Sequence, residues 1–168
     1  VEPGTAKYLR VIESPEKRTW TKNGWGGQGE QAPAVNWHSF ENKRILGEVP
    51  VEEDGSANFE VPSGTFVYFQ LLDKDKKMIQ SMRSGTMVMP GEVNGCIGCH
   101  EDQNQIPIPK RVVASTIKPH AIALPEGGQR PFTFELEVQP VLDRACIACH
   151  DGSNKLADFT GGRIDDFT

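Results

Sequence analysis

The stretch Cys96-Ile97-Gly98-Cys99-His100 and the stretch Cys146-Ile147-Ala148-Cys149-His150 repeat one five-residue pattern, Cys-x-x-Cys-His. Together they use all 4 cysteines of the chain and two of its 4 histidines. Two intervening residues put the thiols one helical turn apart, and the imidazole follows on the same side. Attachment of c-type haem asks for that arrangement. Each thiol adds to a vinyl group as a thioether, and the adjacent histidine reaches the iron from that side. Gly98 and Ala148 are small enough to let the backbone lie close to a porphyrin.

Three other chemistries use paired cysteines. A thioredoxin-like dithiol sits after a strand in a βαβ pattern, and neither copy has that setting. A zinc ribbon spaces its two pairs by roughly 15–20 residues. The gap from Cys99 to Cys146 is much longer, and zinc leaves the repeated histidine without a role. A disulfide across two residues closes a tiny loop and gains little from chain entropy. Haem attachment accounts for all six residues, so Cys96, Cys99, Cys146 and Cys149 are expected to hold two c-type haems, with His100 and His150 as iron ligands. Such haem is attached outside the cytoplasm, which predicts a periplasmic or secreted protein.

The rest of the sequence predicts a mainly β scaffold. Only 37% of the 168 residues are hydrophobic, and 17 glycines and 12 prolines favour short strands and long loops. Ala6–Glu13, Arg44–Val49, Ala57–Val61, Thr65–Leu72 and Lys77–Met82 read as strands, separated by turn signals such as Pro62-Ser63-Gly64 and Asp73-Lys74-Asp75. Both faces of Thr65–Leu72 are mostly apolar, which predicts an interior strand in an immunoglobulin-like antiparallel β-sandwich. The expected division is a sandwich domain over residues 1–95 and a loop-rich, partly helical haem segment over 96–168 that stops short of a terminal helix. The proline-rich stretch after the first motif should be extended loop. Val138, Val141, Leu142, Ala145 and Cys149 recur at helical spacing, and Pro140 suits a first turn. The second motif should therefore end a short helix.

Between the first two strands lies a Gly-rich loop with all 3 tryptophans. Its "GWGGQG" matches a dinucleotide fingerprint in letters but lacks the strand before and the helix after. It reads either as a permissive loop or as one whose tryptophans cover a haem. A net charge of −5 argues against nucleic acid and anionic membranes and fits a redox partner with a basic patch. No apolar run approaches the ~20 residues of a membrane helix, so no membrane insertion of this segment is expected. The N-terminus "VEPGTAKYLR" lacks a signal-peptide pattern, as expected if a leader is cleaved or the chain begins inside a longer one. Homo-oligomer formation is compatible with either.

"WGGQG", "KRILG", "VPVEEDGSANFEVPSGTFVYFQLLD", "MRS" and "PGEVNGCIGCHE" together resemble the haem-bearing region of the hydrazine synthase alpha subunit family. "VQPVLDRACIACHDG" resembles its second haem segment and the cytochrome modules of planctomycete-type bacteria. The resemblance implies an extracytoplasmic multihaem region, often downstream of a β-propeller, with the first haem at the edge of a β-rich domain. In that family a tyrosine four residues after the first motif's histidine binds the iron. Asn104 stands there in this chain.

That departure makes electron transfer through two haems the expected function, with a haem enzyme module holding one open-coordinated iron as the alternative. The sixth ligand discriminates the two. His38 and His120, the remaining histidines, are the first choices for the distal positions, ahead of Met87 and Met89. Met78 and Met82, in a predicted strand, read as core filler. Mass spectrometry of the denatured chain should show two haem additions, and a bare polypeptide mass would contradict the motif reading.

Overall fold

The computed structural model describes residues 2, 4–16, 43–97, 104, 111–153 and 156–161. Contacts divide the chain into two compact units, Val1–Arg130 and Pro131–Thr168. The first unit is mainly β, as the sequence predicts. Strands β1 (Tyr8–Glu13), β2 (Arg44–Pro50), β3 (Val67–Leu72) and β4 (Met78–Ser81) form one antiparallel sheet in the order β2-β1-β3-β4. The described residues contain this single sheet, and the second layer of a sandwich is not among them. No helix among them is long and apolar enough to cross a membrane.

β1 is interior, flanked by two strands that come later in the chain. Val11 pairs with Gly47 on one side and Phe69 on the other. Val11, Leu46 and Val67 are buried, and Leu9, Phe59, Val61, Phe69 and Ile122 pack against them. The Phe59 and Phe69 rings meet edge to face at 5.4 Å. Interior placement explains why β3 is apolar on both faces. Met78 does not fill the core: it lies on β4 at the end of the sheet order and is 55% exposed.

The β3–β4 turn is built as its residues dictate. The Asp73 carboxylate accepts from the backbone N–H groups of Asp75 and Lys77 at 2.8 and 2.9 Å. Lys76 takes the left-handed conformation there, with φ +61°, unusual for a residue bearing Cβ. Its ammonium lies 2.9 Å from Glu48 and 5.5 Å from the centre of the Tyr8 ring. Arg10 pairs with the other Glu48 oxygen, also at 2.9 Å. Burial pushes the Glu48 carboxyl up, but the hydrogen bonds and charges of Lys76 and Arg10 outweigh it and hold it below its ordinary value.

The stretch expected to be plain loop after the first motif returns to the sheet. A 3₁₀ turn, Val113–Thr116, has its first N–H groups bound by side chains from another turn. Val113 N–H donates to Asp54 at 2.9 Å and Ala114 N–H to Ser56 at 3.1 Å. The Asn58 side-chain amide donates to the carbonyls of Ala114 and Ile117. These contacts satisfy groups that so short a helix leaves open. His120 then bridges Phe59, and Ala123 exchanges both backbone hydrogen bonds with Glu48 on the outer edge of β2. Gln129 donates to the Leu46 carbonyl at 2.8 Å. The predicted strand Ala57–Val61 is therefore one bridging residue, Phe59, because its partner is equally short.

Gly47 permits this closure. Its φ is +146°, and a Cβ there would overlap the Ala123 carbonyl oxygen and Ile122 Cγ2. Gly47→Ala should lower stability by about 2–4 kcal/mol through strain and overpacking, read as an earlier denaturant midpoint with an unchanged slope. Glu48 contributes stability above its ordinary pKa of 4.5, and that part is lost as pH falls through the lower folded value. Glu48→Gln should flatten this acid limb in pH-dependent unfolding.

Candidate haem-attachment site

The second motif lies in the unit Pro131–Thr168. A π-helical turn, Phe134–Val138, runs into α1, Gln139–Ala145. Thr133 caps the start by accepting from Leu136 N–H, and Pro140 sits in the first turn of α1, where its missing N–H costs nothing. The helix ends at Cys146, as the sequence predicts. Cys146 N–H donates to the Leu142 carbonyl at 2.8 Å, and the N–H groups of Cys149 and His150 both reach the Cys146 carbonyl at 3.1 Å. The motif is thus one further turn, with the two thiols on successive windings and the imidazole immediately after.

The orientation of His150 is fixed by the residues that follow it. Nδ1 lies 2.9 Å from the Ala157 carbonyl oxygen. A carbonyl can only accept, so Nδ1 carries the proton and a neutral ring presents its lone pair at Nε2. The Phe159 ring stacks on the imidazole at 4.6 Å between centres and 22° between planes. Phe159 N–H donates to the His150 carbonyl at 2.9 Å, and the Gln139 amide donates to the Phe159 carbonyl at 3.0 Å. Asp151 accepts from the Ser153 hydroxyl at 2.6 Å and its N–H at 2.9 Å. These bonds hold its carboxyl below the ordinary range.

This set suits a flat apolar group with a coordinating metal. Cys146 is half-buried and Cys149 exposed, so both thiols are accessible from outside the turn. None of the described side chains from residue 131 onward is buried. Phe132, Phe134, Leu136, Val141 and Leu156 all show substantial exposed apolar surface. Two thiols, a lone-pair nitrogen and an apolar surround are the donor and packing set that a covalently held haem uses.

The other predicted site residues are distributed as follows. Cys96 is exposed at the end of a described run of exposed residues. Cys99, His100 and His38, with the Trp-rich loop, lie outside the described residues. His120 places Nε2 3.1 Å from Glu52 Oε1, and its backbone bridges residues 58–60. Ligation through that nitrogen would require the ring to leave Glu52. Met87 and Met89 are exposed. Among the described residues, no group of three or more His, Cys, Asp or Glu side chains is gathered to hold a bare metal ion. Sequence reasoning missed Ala157, Phe159 and Gln139. Only the lone aromatic in "LADFTGG" gave a signal, and the glycines beside it read as plain turn.

A family model described as the hydrazine synthase alpha subunit middle domain matches residues 4–101. A solved structure titled Kuenenia stuttgartiensis hydrazine synthase superposes with a TM-score of 0.66 at 21% identity, over 96% of this chain. At that identity the likeness is one of fold, and this chain spans 27% of the length of the solved one. No curated protein matches.

Gly152 lies against the returning segment. Its φ is +77°, and a Cβ would come within 2.7 Å of Asp158 Oδ2. Gly152→Ala should push the segment away from His150 and speed hydrogen exchange at the Phe159 amide by about tenfold or more.

Proposed function

The chain belongs to the hydrazine synthase alpha subunit middle-domain family, and on that premise we propose that it is a haem-bearing module of a larger catalytic subunit outside the cytoplasm. The observation that carries the haem assignment is the protonated Nδ1 of His150, bound to the Ala157 carbonyl at 2.9 Å one turn after Cys146. It leaves Nε2 as the ligating nitrogen. Cys146 and Cys149 hold the group through thioethers, and the turn after α1, closed by the Cys149 and His150 N–H groups on the Cys146 carbonyl, fixes the spacing of the two sulfurs. The exposed apolar side chains of this unit supply the packing for its faces. Cys96, Cys99 and His100 repeat the donor set for a second haem. His38 and His120 remain the candidates for the distal position, one of them serving the six-coordinate haem while the other iron keeps its distal side open.

Haem held in this way supplies an iron that exchanges electrons and, with one axial side open, takes a small molecule. Family membership favours the enzyme-module reading over the simple electron carrier. Asn104 favours the second reading at one position, because a carboxamide stands where the resemblance puts a tyrosine ligand. Assembly with further chain or subunits follows from the module reading, since this chain spans 27% of the solved hydrazine synthase chain. With a net charge of −5, a redox partner would approach with a basic patch.

Carbon monoxide separates the two readings. The reduced full chain, matured with covalent haem, should bind one CO per two haems, seen as a shifted Soret band of half amplitude. Uptake by neither haem would mean that both irons are six-coordinate and would return the protein to electron transfer.

A further inference from the structure

Resting on the haem assignment of the second motif, we propose that Phe159 is a positioning residue for the axial imidazole. It fixes the plane of the His150 ring and with it the geometry of the hydrogen bond that controls how strongly that ring donates to iron. The Nδ1 contact with Ala157 alone leaves the ring room to swing about its Cβ–Cγ bond, because hydrogen-bond angles are broad. The stacked phenyl, at 4.6 Å and 22°, removes that room on one face. A ring further from parallel would not restrain the imidazole in this way, and an aliphatic side chain would offer no plane to match.

The phenyl is itself held on both sides. Its own N–H is bonded to the His150 carbonyl at 2.9 Å. Its carbonyl accepts from Gln139 at 3.0 Å, and the same Gln139 amide reaches Asp143 at 2.6 Å. Asp158 accepts from the Thr160 N–H and hydroxyl at 2.9 and 2.6 Å, which shapes the corner around the ring. A closed path therefore runs from the ligand through Phe159 to the first turn of α1, and along the helix back to Cys146 and the ligand. The helix that leads into the thiol-bearing turn also anchors the ring that sets the imidazole plane. A more strongly donating imidazole favours the oxidised iron, and its outer hydrogen bond governs that donation. Loosening the stack should weaken the bond and raise the reduction potential of this haem alone.

The test uses the full haem-loaded chain with Phe159→Leu, Phe159→Ala and Phe159→Tyr. Covalent haem is counted as pyridine haemochrome, and low-temperature electron paramagnetic resonance and redox titration follow each iron. In Phe159→Leu, which keeps the apolar bulk, haem content should stay at the unsubstituted level. One haem's low-spin signal should broaden and its potential should rise, while the other haem is unmoved. Phe159→Ala should show the same with larger shifts, and Phe159→Tyr should restore the original spectrum and potential. Phe159→Leu with both signals and both potentials unchanged would overturn the proposal even if Phe159→Ala does not accumulate. An unsubstituted chain without covalent haem at Cys146 and Cys149 would overturn the haem assignment itself.

Discussion

A neutral imidazole carries one proton and one lone pair, and whichever nitrogen donates outward leaves the other for a metal. In this chain the carbonyl of Ala157, 2.9 Å from His150 Nδ1, decides the matter. The local architecture of the unit serves that contact. Pro140 and the capped turn before it start α1, and α1 runs into the turn that carries Cys146 and Cys149. The segment after the motif then turns back so that one carbonyl and one ring meet the histidine. Cys-x-x-Cys-His supplies the donors, while the direction in which the histidine works is set by residues outside the motif.

In the first unit the chain between the two motifs closes the sheet. Ala123 covers the outer edge of β2, whose unpaired N–H and C=O groups would otherwise invite pairing with another chain. Asp54, Ser56 and Asn58 seat the 3₁₀ turn that leads into this segment. Gly47 is the price of the closure: a glycine with φ +146° where the Ala123 carbonyl passes. Among the described residues this stretch pairs through single bridges, at His120 and Ala123, rather than as a strand.

Residues acting through local rules were legible in the sequence. Asp73 announces its turn, Pro140 its helix start, and the two apolar faces of β3 its interior place. What stayed hidden depends on distant partners. Nothing near Phe59 says that it will pair with His120, and nothing near Gly47 says that Ala123 will lie across it. Met78 looked like core because alternation does not tell an interior strand from one at the end of the sheet. Phe159 sits among glycines and acids, and its role is visible only once Gln139 and His150 bracket it.

The account turns on His150 binding through Nε2 while Nδ1 stays protonated. Pulsed electron paramagnetic resonance on oxidised protein with ¹⁵N-labelled histidine, carrying Cys96→Ala and Cys99→Ala so that one haem remains, reads both halves of that statement. The prediction is a strongly coupled, directly bound imidazole nitrogen together with a weakly coupled remote nitrogen that carries a proton. A haem at the second motif without a ligating histidine nitrogen, or one whose remote nitrogen carries no proton, would contradict it.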